Sequence, residues 1–293
     1  MIRRQSFYIV GVLLIILGLS MLCSVACSLI FNDGDLVPLL QSIAVTIVSG
    51  FTLMLLFKSK EKKELSTHDG FAVVTMGWFA MAIFSAFPFY FSGTLDYTNS
   101  FFEAMSGLTT TGASVLGHSS TLLIEEVPHG ILFWRSFTHF IGGMGIIVFS
   151  IAILPMLGMG GVQLFRAEVA GPVADKITPR VKQTAKLLWG IYVGFVLIET
   201  LVLRIEGMPW FDSFCHSFGT MATGGFSTKN ISIAAYGGLI QWTIIFFMFC
   251  AATNFSLHYY FIAKGKRKYF KDREFRVYFS LVLFCAISFF IDI

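Results

Sequence analysis

Two stretches rich in threonine and glycine lie within otherwise apolar sequence, at 106–114 and, about 113 residues later, at 220–227. Backbone carbonyl oxygens can replace the hydration shell of a potassium ion. Glycine adopts backbone conformations closed to other residues, and threonine hydroxyls can supply further oxygen atoms. The stretches therefore predict a cation filter; the alternative is a glycine-rich connection without function. The candidate ion-binding residues are Thr109, Thr110, Thr111, Gly112, Ala222, Thr223, Gly224 and Gly225.

A short apolar run precedes each loop, at 98–108 and at 210–221. An α-helix rises 1.5 Å per residue, so either run reaches less than about 20 Å and cannot cross a hydrocarbon core of about 30 Å. Non-helical backbone at membrane depth is tolerated only where it is buried in protein or lines water. We therefore predict two re-entrant pore helices whose C-terminal ends, which carry partial negative charge, point at the cation.

The composition is that of a membrane protein. Hydrophobic residues make up 56% of the chain and charged residues 13%, with a mean hydropathy of +0.76, whereas a soluble domain carries about a quarter charged residues. Long apolar runs recur, each sufficient for one crossing. We predict an all-α polytopic membrane protein with seven spans, at about 7–31, 37–57, 70–91, 130–156, 184–204, 238–263 and 275–293.

The basic residues indicate the orientation of these spans. If the seven spans alternate, 18 of the 21 lysines and arginines fall on one side, and the exceptions are Arg135, Arg204 and Lys229. The positive-inside rule makes that side cytoplasmic, with the N-terminus inside and both threonine–glycine loops facing outward. The same basic connectors suit contact with anionic membrane lipid or docking of a cytosolic partner.

An internal repeat relates the two loops. At an offset of 113 the identical pairs are Ser100/Ser213, Phe101/Phe214, Thr110/Thr223, Gly112/Gly225 and Ser114/Ser227. Both copies read as span, short helix, loop and span, and internal repeats are common in transporters. The predicted organisation is an N-terminal transmembrane hairpin (1–64), a first span–pore loop–span unit (65–160), a cytoplasmic connector (161–182), a second unit (183–264) and the truncated start of a third (265–293).

Several motifs resemble the TrkH branch of the Trk/Ktr/HKT superfamily of potassium transporters. They are FFE at 101–103, GLTTTGA at 107–113, FIGGMGII at 140–147, LFRAE at 164–168, HSF at 216–218, GGFST at 224–228 and DREFR at 272–276. Each motif is weak alone, but their order and spacing together are specific. The resemblance covers essentially the whole chain.

The resemblance implies four such units around one pore, each with one filter glycine, here Gly112 and Gly225. A serine at the first position goes with sodium permeation in plant relatives, so Gly112 favours potassium. The resemblance also implies a homodimer in the bacterial inner membrane, gated by a separate cytosolic nucleotide-binding ring (TrkA-like). This chain has no GxGxxG after a strand, so we expect no organic cofactor on it and expect the nucleotide on the partner.

Other functions stay open. The missing third and fourth units leave a non-transporting accessory or assembly subunit as an alternative, and a sodium-permeable relative as another. Passive flux and proton or sodium symport are not distinguished. A membrane-embedded enzyme is less favoured, because Ser217 and His216 are adjacent helix positions that point about 100° apart. The chain has no HExxH motif, and its five cysteines lack metal-ligand spacing, so neither a transition-metal site nor a nucleic-acid partner is expected.

A few charged and ring-bearing residues remain. We expect Glu103 to support the filter by hydrogen bonding, with direct ion ligation as the alternative. Arg135, at the outer start of its span, is expected to support the filter by bracing the pore helix, or to snorkel to the membrane surface. Glu199 is a membrane carboxylate and so a functional candidate, with a local ion pair to Arg204 as the alternative. His139 and His258 lie singly among aromatic residues, and such histidines usually bond between helices.

Overall fold

The computed structural model describes residues 4–58, 67–117, 122–143, 145, 181–264 and 271–292. Its regular elements are all helical, which agrees with the predicted all-α fold. Two short 3-10 helices lie at Ile124–Glu126 and Ser232–Ala235. The α-helices of the described residues are α1 (Arg4–Ser20), α2 (Leu22–Phe31), α3 (Leu36–Leu56), α4 (Thr67–Ser85), α5 (Phe87–Phe91), α6 (Tyr97–Leu108), α7 (His129–Gly143), α8 (Val181–Ile205), α9 (Trp210–Met221), α10 (Gly238–Ala251), α11 (Phe255–Lys264) and α12 (Arg273–Asp292).

Four helical stretches are long and apolar enough to cross a membrane: Arg4–Phe31, Leu36–Leu56, Asp69–Phe91 and Lys186–Ile205. They correspond to the first, second, third and fifth predicted spans. The fourth, 130–156, begins as α7, and its part beyond 145 lies outside the described residues. Helix α12, which has 20 residues, occupies the place of the seventh span.

The predicted sixth span, 238–263, is not one continuous helix. It divides into α10 and α11, which are separated at 252–254. The Thr253 hydroxyl donates to the Phe249 carbonyl at 3.0 Å, and Asn254 follows it. Side chains of these types bond to nearby backbone and compete with the helical ladder. The hydropathy of the run did not reveal this break.

The N-terminal hairpin is fastened to α7 through the turn between α2 and α3. Asp35 accepts a hydrogen bond from the backbone amide of Ile131 at 3.1 Å and another from the Ser28 hydroxyl. Asp33 accepts from the backbone amide of His129 at 3.0 Å and lies 2.5 Å from its ring nitrogen Nδ1. The bonds to His129 and Ile131 join two parts of the chain that are 96 residues apart.

Helix α7 lies between the two short helices, α6 and α9, and packs against both. Its Trp134 is fully buried and donates to the Ser85 carbonyl at 3.0 Å. On its other side, Phe137 and Phe140 contact the Phe218 ring of α9. Helix α7, which follows the first loop, is therefore the central helix that packs against the short helices of both copies.

Candidate ion-conduction site

The two short helices are equivalent in length and position. Helices α6 and α9 each have 12 residues, and each bound of α9 is the bound of α6 shifted by 113. Twelve residues rise about 18 Å. The predicted helical runs, 98–108 and 210–221, are thus observed to within one residue.

Both helices end in the same hydrogen-bonded turn. In the first, the amide of Thr110 donates to Gly107 at 3.1 Å and that of Thr111 to Ser106 at 2.9 Å. In the second, the corresponding bonds are Thr223 to Thr220 at 3.0 Å and Gly224 to Gly219 at 2.9 Å. This pair of bonds is a Schellman motif, which satisfies carbonyls that the helix leaves free.

The left-handed residue of this motif is a threonine in both copies. Thr110 has φ of 54° and Thr223 has φ of 56°. Glycine is the usual residue there, and a β-branched residue at positive φ is an outlier. Two residues later the backbone is again at positive φ, 74° at Gly112 and 92° at Gly225. Such strain persists only where the surroundings hold it, and it concentrates at functional sites.

The two loops meet at glycine. A Cβ atom added to Gly112 would lie 1.8 Å from the carbonyl oxygen of Gly224, so no side chain fits there. A Cβ added to Gly225 would have no described atom within 4 Å. Gly112 is therefore required by space and by its φ angle, whereas Gly225 is required by its φ angle alone.

Matching side-chain bonds fix each loop to its own short helix. Glu103 accepts from the Ser114 hydroxyl at 2.8 Å and from the Val115 amide at 2.9 Å. In the second copy, ring nitrogen Nε2 of His216 lies 3.0 Å from the Ser227 hydroxyl. Positions 103 and 216 differ by 113, like the two serines. The sequence comparison paired the serines but missed this equivalence, because glutamate and histidine are not similar residue types.

Arg135 joins the two copies. It is 2% exposed, and its Nε lies 2.6 Å from Glu103 Oε1. Its Nη1 donates to the Ser227 carbonyl at 2.8 Å, and the guanidinium lies 3.7 Å from the centroid of the Phe226 ring. A buried ion pair requires such additional bonds to offset desolvation. The pair therefore connects the first short helix, α7 and the second loop.

Helix α7 also approaches the ends of both short helices through two adjacent glycines. A Cβ on Gly142 would lie 2.2 Å from the Leu108 carbonyl oxygen, and one on Gly143 would lie 2.7 Å from the Ala222 Cβ. These close approaches make the two glycines a packing surface for the ends of both short helices. Of the predicted ion-binding residues, Thr110, Ala222 and Gly224 thus lie directly beside α7.

Arg204, Glu199 and His258 are three further residues that the sequence singled out. Arg204 donates to the Met208 carbonyl at 3.3 Å and lies 5.6 Å from the centroid of Trp210. Glu199 is fully buried. Among the described residues, its carboxylate forms no ion pair with Arg204. His258 lies 3.0 Å from the Cys250 carbonyl oxygen. Within the described ranges, no three potential metal-ligating side chains cluster.

The fold and this arrangement define an all-helical membrane protein with two glycine-containing loops that meet beside a central helix. A family model, TrkH, described as a cation transport protein, matches residues 39–291. This chain belongs to the TrkH family of cation transport proteins.

Known relatives match nearly the whole chain. The Trk system potassium uptake protein TrkH of Vibrio parahaemolyticus is 39% identical over 98% of this chain and 59% of its own length. The TrkH of Escherichia coli K12 is 40% identical over 97% of this chain and 59% of its own length. The crystal structure of the potassium transporter TrkH from Vibrio parahaemolyticus matches with a TM-score of 0.79 and 34% identity, over 97% of this chain and 58% of that one.

The chain thus spans less than two thirds of the length of these relatives. The names of the relatives describe uptake proteins and not enzymes, in agreement with the expectation from sequence.

Proposed function

We propose that this chain forms part of a pore that takes up potassium across the bacterial cytoplasmic membrane. The observation that carries the proposal is the contact between the two loops, where the Gly224 carbonyl oxygen occupies the space beside Gly112. Oxygen atoms of this kind are the ligands of potassium filters. Relatives that match nearly the whole chain are named potassium uptake proteins.

The potassium ligands in this proposal are backbone carbonyls of the two loops, from Thr109–Thr111 with Gly112 and from Ala222–Gly225. The hydroxyls of Thr109 and Thr111 in the first loop are already engaged. Thr109 Oγ1 donates to the Met105 carbonyl at 2.8 Å, and it lies 2.7 Å from Thr111 Oγ1. The C-terminal ends of α6 and α9, which carry partial negative charge, add a favourable field for a cation.

Glu103 and Arg135 support the filter in this proposal without adding net charge to it. Their side chains are 2.6 Å apart and almost fully buried, so the positive charge of Arg135 is neutralised beside the ion path. The bonds from Glu103 to the first loop and from Arg135 to the second keep both backbones in their strained conformations.

The larger assembly is proposed along the same lines. The N-terminal hairpin (1–64) precedes two pore units (65–160 and 183–264), joined by a cytoplasmic connector (161–182), and 265–293 begins a third unit. We place the N-terminus in the cytoplasm because the basic residues lie on that side. We further propose a homodimer in the inner membrane, with membrane lipid around it, that is gated by a cytosolic nucleotide-binding ring and carries no nucleotide itself.

Complementation tests this function. The complete gene that encodes this chain is expressed in a strain that lacks potassium uptake, and growth at low potassium is compared for the wild type and Gly112→Ser. Gly93→Ser is the matched control, because Gly93 also has a positive φ, 70°, but no described atom within 4 Å of its Cβ position. Growth lost with Gly112→Ser and kept with Gly93→Ser supports the proposal.

Two other results would favour an alternative function over the proposed potassium pore. If the wild-type gene restores no growth although the protein reaches the membrane, the accessory-subunit alternative takes its place. If the wild type carries sodium as readily as potassium, the sodium-permeable alternative does.

A further inference from the structure

His139 of α7 lies directly behind the second loop. It is fully buried, and its ring stacks on Phe226 with 4.1 Å between the ring centroids and 24° between the planes. A Cβ added to Gly224 would lie 2.5 Å from the Cε1 and Nε2 atoms of the His139 ring. The imidazole therefore leaves the Gly224 backbone no room to move toward α7.

This contact continues to the first loop. The carbonyl oxygen of Gly224 occupies the space in which a side chain of Gly112 would begin. Gly224 is thus held between the His139 ring on one side and the first loop on the other. The thickness of the side chain at 139 consequently sets the position of a proposed potassium ligand.

The position of the His139 ring is itself fixed. The Arg135 guanidinium lies 3.7 Å from the centroid of Phe226, and the imidazole lies 4.1 Å from the same centroid. Two groups this close to one centroid cannot share a face of the ring, so Phe226 lies between them. Arg135 and His139 are four residues apart on one helix and project from the same side of it.

Hydrogen bonding by the ring nitrogens does not explain why a histidine occupies position 139. Neither Nδ1 nor Nε2 has a hydrogen-bond partner among the described residues, although both are buried. A buried polar group without a partner costs free energy, and an apolar group of the same shape avoids that cost. The flat shape of the ring is then the property that acts on the filter.

We propose that His139 is a specificity-determining residue of the filter, which acts by positioning the Gly224 carbonyl through the planar shape of its ring. This inference rests on the proposed potassium pore. A smaller side chain at 139 lets the Gly224 backbone relax toward α7 and widens the ligand cage, which weakens discrimination against ions of other sizes. A planar apolar ring at position 139 keeps the Gly224 carbonyl in place and so preserves the size of the ligand cage.

The test measures potassium, sodium and rubidium uptake by the complete protein and by three variants, His139→Ala, His139→Leu and His139→Phe. We expect the preference for potassium over sodium to fall roughly tenfold in His139→Ala, the order of change that small differences in a specificity site produce. His139→Leu, which fills similar volume without a flat ring, tests the same point if the alanine variant does not fold. His139→Phe is expected to stay within about twofold of the wild type.

His258→Ala is the matched control, because His258 is also buried and lies edge-to-face against aromatic rings, those of Phe195 and Phe255, and its ring nitrogen Nε2 lies 3.0 Å from the Cys250 carbonyl oxygen, outside both loops. Its potassium preference is expected to equal that of the wild type. Unchanged selectivity in folded His139→Ala or His139→Leu overturns the inference, and so does a loss in His139→Phe as large as that in His139→Ala. Gly112→Ser, measured in parallel, separates failure of this inference from failure of the pore proposal, since wild-type uptake together with wild-type selectivity in that variant overturns the pore proposal itself.

Discussion

The Gly224 carbonyl oxygen lies 1.8 Å from the place where a Cβ of Gly112 would be. Two residues that are 112 positions apart in sequence thereby form the point at which the two repeated loops touch. The absence of a side chain at Gly112 is what allows the contact. Its equivalent in the second loop, Gly225, faces open space in the described structure. The two glycines therefore share a positive φ angle but differ in the atoms that surround them.

This inequality predicts different effects of alanine at the two glycines. Gly225→Ala incurs only the cost of a left-handed alanine, roughly 1–2 kcal/mol. Gly112→Ala incurs the same cost and also displaces the Gly224 carbonyl. We expect Gly112→Ala to abolish potassium uptake and Gly225→Ala to leave measurable uptake. Thermal unfolding in detergent, together with uptake rates, checks the order; equal loss in both variants would contradict it.

The Glu103–Arg135 pair provides a second prediction. Breaking a buried ion pair by removing one charge costs about 3–5 kcal/mol, because the other charge is left uncompensated. Glu103→Gln and Arg135→Gln are each expected to destabilise the protein by this order. The double variant is expected to lose much less than the sum of the two. A double-mutant cycle on thermal stability measures the coupling, and additive losses would show that the two charges do not depend on each other.

The strained threonines provide a third prediction. At positive φ, glycine is favoured over a β-branched residue, so Thr110→Gly relieves strain and is expected to raise stability by about 1 kcal/mol. Thr52→Gly, at an exposed site within α3, is expected to lower it by roughly 0.3 kcal/mol, since threonine is itself a poor helix former. Thermal melting of both variants tests the contrast. Destabilisation by both to the same extent would mean that Thr110 contributes contacts that outweigh its strain.

Serines at the equivalent positions 114 and 227 should differ in importance. Ser114 donates to the Glu103 carboxylate at 2.8 Å, whereas Ser227 bonds to the His216 ring at 3.0 Å. Hydrogen bonds to charged groups contribute about 1.5–3 kcal/mol and neutral ones about 0.5–1.5 kcal/mol. We therefore expect Ser114→Ala to lower the melting temperature more than Ser227→Ala. The reverse order would rule out the charge of Glu103 as the source of the difference.

The contact between Asp33 and His129 makes stability depend on pH. Burial alone would raise the pKa of the Asp33 carboxyl, but the backbone amide and the ring of His129 outweigh it and hold the pKa below its ordinary value. The contribution of Asp33 to stability is therefore complete above the unfolded pKa, about 3.9. It is lost as the pH falls through the lower folded value.

Asp33→Asn is expected to remove this part of the acid limb in a plot of melting temperature against pH. An acid limb identical in wild type and variant would show that Asp33 does not contribute. Asp96→Asn is a useful comparison, because Asp96 accepts the Asn99 amide at 3.0 Å at the start of α6 and is far from His129 in sequence.

The sequence predicted the local elements better than the contacts between them. The short helices and most spans follow from runs of apolar residues, which are local properties. The bond from Arg135 to Ser227 joins residues 92 positions apart, and no local pattern indicates it. The contact of His139 with Gly224 was missed for the same reason, and His139 was expected only to bond between helices. The break at 252–254 was missed because hydropathy ignores the hydrogen bonding of threonine and asparagine.

The most direct test of the potassium site is anomalous X-ray diffraction from crystals of the complete protein grown in rubidium or thallium salts, which replace potassium. Density for the ion is expected between the loops, within coordination distance of the carbonyls around Gly112 and Gly224, and it is expected to disappear in sodium salts. A protein that takes up potassium but shows the ion elsewhere, with none at these loops, would contradict the assignment of the filter.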